Sequence, residues 1–441
     1  MARFIGLDVH KKVIEACILD EAGKVLFRHR FPTSQKDLLA FAHQHLQKTD
    51  QLCLEATSNT WGVVSILKPF VAKVSVSNPL QTKAIASAKV KTDKVDAFIL
   101  AQLLRCDYLP LVWEPDTYTQ TLRHLTSQRV ALVNDSTCHK NRIHSILHQR
   151  LLHPPVERLF SPKGRAWLQT LSLDEEGRSA IDTYLRLLDT TQTEIALFEQ
   201  KIARLAYADP RAKLLMTLPG VDFPTAQTLL AAWGDLSRFQ SPDQASAYLG
   251  LVPSTKASAF KCYHGPITKQ GNSAARYMLV QACQRLDRNP GPLGVFFRRL
   301  KNKKGHNVAV CAAARKMATI AWYMLKNNEP YRYAQPIPTH SKLRNIRIVS
   351  TNQRRKSGPP KGALSTPALA AGLKSIRISS LKEVLASEGL PSILAPDLLP
   401  KGEKRFLKEA NLDDFVSQIQ KSKRIALKTS TKSGTVTITT S

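Results

Sequence analysis

The chain has 441 residues, with 64 Lys and Arg against 34 Asp and Glu and a formal net charge of +30. That length supports two or three domains with cores of their own, and the basic excess selects a polyanionic partner, because neutralised phosphates release condensed counterions. With 43% hydrophobic and only 7% aromatic residues, the composition reads as a soluble, globular, helix-rich chain, and its charge favours nucleic acid over an anionic membrane surface.

The first hundred residues alternate strand and helix signals. "RFIGLDVH" predicts a strand, and "VIEACILDEAGKVLFRHRF" a hairpin turning at Glu21 to Gly23. "SQKDLLAFAHQHLQK" has helical apolar spacing, with Thr33 or Ser34 as N-cap. Strand "QLCLEAT", helix "TWGVVSILKPF", strand "AKVSVSNP" and helix "VDAFILAQLLR" follow. Three strands and then helix–strand alternation predict an α/β domain over 1–115, a mixed sheet with helices packed on it. Ribonuclease-H-like domains have this outline, as do many other α/β folds.

From Tyr118 to Leu152 the period is helical, with Leu122, Leu125, Leu132, Ile143, Ile146, Leu147 and Leu151 on one face, until Pro154 and Pro155 stop it. A second helix is expected from Arg178 to Ala206, through Ile181, Leu188, Phe198 and Ile202. The two predict an antiparallel helical hairpin or coiled coil over 116–207. "LLMTLPGVDFPTAQTLLAAWGDLSRF" opens a second globular unit, 208–328, expected to be all-helical. From there to the C-terminus, 329–441 reads as a basic, largely disordered tail. Its stretch "HSKLRNIRIVSTNQRRKSGPPKGALSTPALAAGLKS" is rich in Ser, Pro and Gly, and short helices are expected only near Leu381 to Glu388 and Leu412 to Gln420. Residues Tyr331 to Ser441 include 20 basic and 7 acidic side chains, so this tail is expected to strengthen nucleic-acid binding while being dispensable for folding.

Membrane and secretory readings find little support. The most apolar stretch, "NVAVCAAARKMATIAWYML", is interrupted by Arg315 and Lys316, and "MARFIGLDVHKK" lacks the apolar core of a signal peptide. The seven cysteines are scattered, without a CxxC pair, and are expected to be buried thiols in the cytoplasm.

Four acids stand out once the strands are placed. Asp8 lies in the first strand, Glu55 ends the fourth, and Asp93 and Asp96 share a face where a helix begins. Converging carboxylates repel one another without cations, and hard oxygen ligands suit Mg2+ or Mn2+. Two such ions about 3.5–4 Å apart would clamp the attacking and leaving oxygens of a phosphodiester. The plain alternative for "TDKVDA" is a first helical turn whose acids are favoured by the macrodipole. An Asp between Leu7 and Val9 is harder to explain that way, since a buried charge is costly without a partner.

"GLDVHKK", "LEATSNTWG" and "NPLQTKAIASAKVKTDKVDAFILA" together resemble the DEDD transposases of the IS110/Piv group, whose N-terminal domain is similar to RuvC resolvase. The family's four acidic positions fall on Asp8, Glu55, Asp93 and Asp96, which the resemblance makes catalytic ligands of Mg2+, with Mn2+ a possible substitute. "AYLGLVPSTKASAFKCYHGPITKQGNSAARYMLVQAC" resembles the same family's C-terminal domain, in which a serine shortly after a Gly-Leu-x-Pro element is the nucleophile. Counting from Gly250 puts it at Ser258, with Ser254 and Thr255 close by and Ala259 where the family usually has glycine. "LPGVDFPTAQTLL" is similar to a helix-hairpin-helix phosphate grip. It departs from that pattern at Asp222 and Pro224, and a plain inter-helix turn stays open.

The resemblance implies a magnesium-dependent DNA transposase or site-specific recombinase, active at the nucleoid. It further implies DNA and a structured guide RNA as partners, and a dimer or tetramer with composite active sites. Arg123, Arg142, Lys269 and Arg276 are candidate nucleic-acid contacts. Two other readings remain: a Holliday-junction-type nuclease, which needs the acids but not Ser258, and a non-catalytic nucleic-acid-binding protein, which needs only the basic surface.

Overall fold

The computed structural model describes residues 2–86, 92–258, 261–353, 373–394, 398–429 and 436–440. Two compact units divide the chain, Met1–Pro115 and Asp116–Ser441.

In the first unit, five strands form one mixed sheet in the order β3-β2-β1-β4-β5. They are β1 (Phe4–Val9), β2 (Val13–Leu19), β3 (Val25–Pro32), β4 (Gln51–Glu55) and β5 (Lys73–Ser77). β1 pairs antiparallel with β2 and parallel with β4, so it lies at the centre. Helices α1 (Gln35–His45), α2 (Thr60–Leu67), α3 (Pro79–Ile85) and α4 (Asp93–Arg105) connect or cover the strands. Ser34 caps α1 by accepting from the Asp37 amide. The helix α3, with Pro79 in its first turn and Asn78 as its cap, lay beyond the periodicity argument.

Strand alternation gives the two faces different cores. Ile5, Leu7, Val9, Ile14, Ala16 and Ile18 pack with Leu38 and Phe41 of α1 and Val63, Val64 and Leu67 of α2. The opposite face receives α4, whose Ala97 and Ala101 meet Cys17 and Leu19, while Leu100 and Leu104 meet Cys53. Gly6 makes that approach possible: a Cβ there would stand 2.1 Å from the Ala97 carbonyl oxygen and 2.7 Å from the Ala101 nitrogen. No larger residue fits without moving α4 off the sheet.

The second unit begins with α5 (Thr117–Gln149), α6 (Pro162–Thr170) and α7 (Glu175–Ala208). α5 and α7 pack side by side, and α6 closes the tip around Ile143, Leu147, Leu159, Leu168 and Ile181. Arg129 and Glu199 bridge the two long helices at 2.6 Å. α5 ends at Gln149, before Pro154, and Leu151 is exposed with a left-handed backbone, so that residue leaves the expected apolar face.

Next come α8 (Pro210–Leu215), α9 (Phe223–Trp233), α10 (Pro242–Tyr248), an antiparallel β-hairpin, α11 (Ser273–Cys283), α12 (Pro292–Lys304) and α13 (His306–Asn327). The hairpin, β6 (Pro253–Ser258) and β7 (Lys261–Ile267), corrects the all-helical expectation. "PSTKAS" and "KCYHGPI" are short, and β6 is without the branched apolar residues that mark a buried strand. α13 is long and apolar enough to cross a membrane by length and composition, yet Ala309, Ala313, Met317, Ala318 and Ala321 are buried in the core of this unit.

The tail needs a larger correction. After Asn328 the chain forms α14 (Pro336–Thr351), β8 (Leu373–Ile378), α15 (Leu381–Ser387), α16 (Lys401–Glu409), α17 (Asp413–Gln420), β9 (Lys423–Thr429) and β10 (Val436–Thr440). Tyr331, Tyr333, Leu343, Ile346, Leu381, Leu385, Leu407 and Ile419 belong to the same core as Trp233 and Phe297. Tyr331 N–H donates to Thr217 Oγ1 at 2.8 Å, and Lys342 Nζ donates to the Leu218 and Val221 carbonyls at 2.6 and 2.9 Å. Charge and Ser/Pro/Gly content hid apolar residues spaced widely enough to escape a composition argument. Part of the expected linker, 354–372, lies outside the described residues.

Candidate metal centre and serine hairpin

Register places the acids. Leu7 of β1 pairs with Leu54 of β4, so Asp8 and Glu55 are the next residues along two adjacent parallel strands. Each lies two residues beyond a neighbour that faces α4, Gly6 and Cys53 respectively, and therefore shares that face. α4 starts there: Thr92 caps it by accepting from the Val95 amide, which fixes Asp93 and Asp96 in its first turn. Residues 87–91, with the first lysine of "KTDKVDA", lie outside the described residues.

Asp8 is more enclosed than Asp93, its side chain 14% exposed against 45%. Burial pushes its carboxyl above the usual aspartate range, opposed by His10 and reinforced by the charges of Asp96 and Asp93. His10 Nε2 lies 3.1 Å from Asp8 Oδ2 and 3.4 Å from Asp93 Oδ1. Asp8, His10 and Asp93 thus offer three ligand atoms within 4.8 Å of one another. This donor set suits a hard divalent cation: clustered oxygens, one carboxylate destabilised by burial and like charge, and an open side. His10 was not singled out in the sequence. The turn that follows β1 brings it back over Asp8, and only its spacing of two from Asp8 hinted at a shared face.

Ser258 ends β6 on the exposed arm of the hairpin, paired across with Lys261. Ala259 lies outside the described residues. Thr255 Oγ1 shares a hydrogen bond of 3.1 Å with His264 Nδ1, and Ser254, half-buried, packs its hydroxyl against Gly265. The hairpin's base is locked to its surroundings. Gly250 has φ +68°, and a Cβ there would stand 2.4 Å from the Gln270 carbonyl oxygen. Amides of Thr268 and Lys269 donate to Val252 and Gly250 carbonyls.

Residues 5–151 match the DEDD transposase model of IS110 elements, and residues 212–291 match a second model, the transposase IS116/IS110/IS902 family. Together these matches span just over half of the chain. The chain belongs to this transposase family. The four acids lie within the first match and Ser258 within the second. A Sinorhizobium fredii protein named as a transposase is 28% identical over 66% of this chain and 73% of its own. The transposase for insertion sequence element IS1111A of Coxiella burnetii is 25% identical over 75% of this chain and 91% of its own. The pilin gene-inverting protein of Moraxella bovis is 26% identical over 74% and 97%. Family membership makes this a DNA-processing protein of the insertion-sequence type.

Two of the transposase's expected nucleic-acid contacts also donate to carbonyls within the chain. Arg123 donates from Nε to the Ala231 carbonyl at 2.9 Å and from Nη2 to that of Ala232 at 3.2 Å, satisfying the C-terminal end of α9. Arg276 Nη1 donates to the Leu249 carbonyl at 2.9 Å, bracing the turn before the hairpin. Arg142 is exposed with its guanidinium 5.3 Å from the Tyr184 ring centroid, and Lys269 is exposed. The phosphate grip is also occupied: Asp222 Oδ1 caps α9, accepting from the Thr225 amide at 3.0 Å and its hydroxyl at 2.7 Å. The inter-helix turn reading fits that geometry.

Arg123→Met should destabilise the second unit by about 1–3 kcal/mol, because carbonyls lose a charged donor. The slope of log DNA affinity against log salt should stay unchanged. A slope shallower by about one, with an unaltered melting temperature, would return Arg123 to the nucleic-acid surface.

Proposed function

We propose that this transposase cleaves and rejoins DNA strands at the ends of a mobile element, using Asp8, Glu55, Asp93 and Asp96 as ligands for Mg2+ and Ser258 as nucleophile. The observation that carries the reading is the meeting of Asp8 and Asp93 on the α4 face of a five-stranded mixed sheet, in an arrangement consistent with a ribonuclease-H-like nuclease domain. When bound, the ions would supply charge neutralisation and polarisation of the scissile phosphate, and Mn2+ could substitute.

The chain's own groups do the rest. Asp8, on the central strand, would supply one ligand, and Asp93 and Asp96, in the first turn of α4 behind the Thr92 cap, would supply others. Ser258 Oγ attacks phosphorus, losing its proton, as the bond from phosphorus to the leaving deoxyribose oxygen breaks and that oxygen gains a proton. The phosphoserine link keeps the bond energy for the reverse attack by a DNA hydroxyl. Carboxylates and serine belong to different compact units, and the reading lets different protomers of a dimer or tetramer supply them to one DNA strand. A structured RNA is proposed as the guide, with the +30 charge serving both nucleic acids.

Ser258→Ala is the test. The wild-type protein, given element-end DNA and Mg2+, should yield a protein–DNA adduct that survives denaturation and is destroyed by protease. The variant should lose it altogether while DNA binding stays within about twofold, since affinity resides in phosphate contacts. If the adduct persists in Ser258→Ala and disappears in Ser254→Ala or Thr255→Ala, the nucleophile is misplaced. If wild type cleaves without any adduct, the junction-nuclease reading takes over.

A further inference from the structure

His10 stands among the ligands of the proposed metal site, and the reading above assigns it no task. Its backbone is fixed on both sides: its amide donates to the Val13 carbonyl at 3.0 Å, and Thr33 Oγ1 donates to its carbonyl at 2.9 Å. The imidazole is therefore delivered to Asp8 and Asp93 by a pinned turn. Its side chain is 54% exposed, so packing does not demand a ring at this position.

We propose that His10 is a nitrogen ligand of the divalent ion held by Asp8 and Asp93, and that it biases the site toward Mn2+ and Co2+ over Mg2+; the proposal rests on the metal reading above. The separations are those a shared ion needs. In an octahedral site with bonds of about 2.1 Å, neighbouring ligand atoms lie about 3 Å apart, and His10 Nε2 stands 3.1 and 3.4 Å from the two carboxylate oxygens, the shorter separation being a hydrogen bond with Asp8. An imidazole nitrogen is a softer donor than a carboxylate oxygen, and it gains more from later first-row ions than from Mg2+. A histidine serving only to balance the acids' charge would instead occupy the ion's place and compete with it. The two roles give opposite signs on removal.

Full-length wild type, His10→Ala, His10→Asp and Asp8→Asn are titrated with Mn2+ by electron paramagnetic resonance, with Mg2+ as competitor. Thermal unfolding matching wild type shows that the His10 variants are folded. Loss of His10 should weaken Mn2+ binding about tenfold or more and Mg2+ binding far less. Pulsed measurements on the Mn2+-loaded wild type should show hyperfine coupling to a directly bound nitrogen, absent from both His10 variants. Mn2+ affinity that is unchanged or raised in His10→Ala, or a wild type without nitrogen coupling, overturns the proposal. Should Asp8→Asn bind Mn2+ as wild type does, the metal reading falls and His10 with it; a defect in Asp8→Asn alone removes only His10.

Discussion

A chain ending at Asn328 should fail to fold its second unit. Truncation removes Tyr331, Tyr333, Leu343, Ile346, Leu381, Leu385, Leu407 and Ile419 from a shared core, and each large buried side chain is worth about 2–5 kcal/mol. Against a total stability of about 5–15 kcal/mol, the loss exceeds what the domain can spare. Polar anchors go too: Tyr333 Oη donates to Glu403 at 2.6 Å, Arg332 bridges Glu403 at 2.8 Å, and Lys342 reaches two carbonyls of the turn before α9. Lys342 is so enclosed that burial brings its ammonium down to about 7. Thermal melts should show the second transition abolished, and limited proteolysis should degrade residues beyond 116. An unchanged cooperative melt in the truncated protein would mean that the C-terminal segment is an appendage.

Replacing Asp8 or Asp96 by Ala should lower strand cleavage about a thousandfold or more, because charge neutralisation at the phosphate is worth several kcal/mol and each 1.36 kcal/mol is tenfold. DNA binding should persist, since the basic surface is untouched. Asp8→Asn carries a second signature. Burial and the charges of Asp96 and Asp93 raise the Asp8 carboxyl in the folded state, so its contribution to metal-free stability is fully present below the ordinary aspartate range. That contribution is lost as pH rises through the raised value. Metal-free Asp8→Asn should therefore melt higher than wild type near neutral pH and lack that pH dependence. Full cleavage activity in Asp8→Ala with Mg2+ would remove the carboxylates from the chemistry.

Much of the first unit was legible because its signals were local and consistent. The β1 to β5 segments alternate or run apolar, Ser34 stands where a cap belongs, and "TDKVDAFILAQLLR" carries cap, acids and amphipathic period together. The acids could be picked out, since a carboxylate inside an apolar strand needs a reason. His10 could not, because its meeting with Asp93 depends on a turn and on how closely α4 approaches over Gly6. The hairpin carrying Ser258 escaped detection because its strands are exposed and polar. Arg123 and Arg276 show in the sequence only as charge, and the distant carbonyls to which they donate are visible only in the fold. The C-terminal segment misled for a related reason: Leu407 and Ile419 belong to a core whose other members begin as far back as Ile202.

The most direct measurement is a crystal of the full-length protein grown with Mn2+, with diffraction data collected at the manganese absorption edge. The account predicts an anomalous peak bonded to carboxylate oxygens of Asp8 and Asp93, with Glu55 and Asp96 completing the site. Manganese absent from that position at saturating concentration would contradict it.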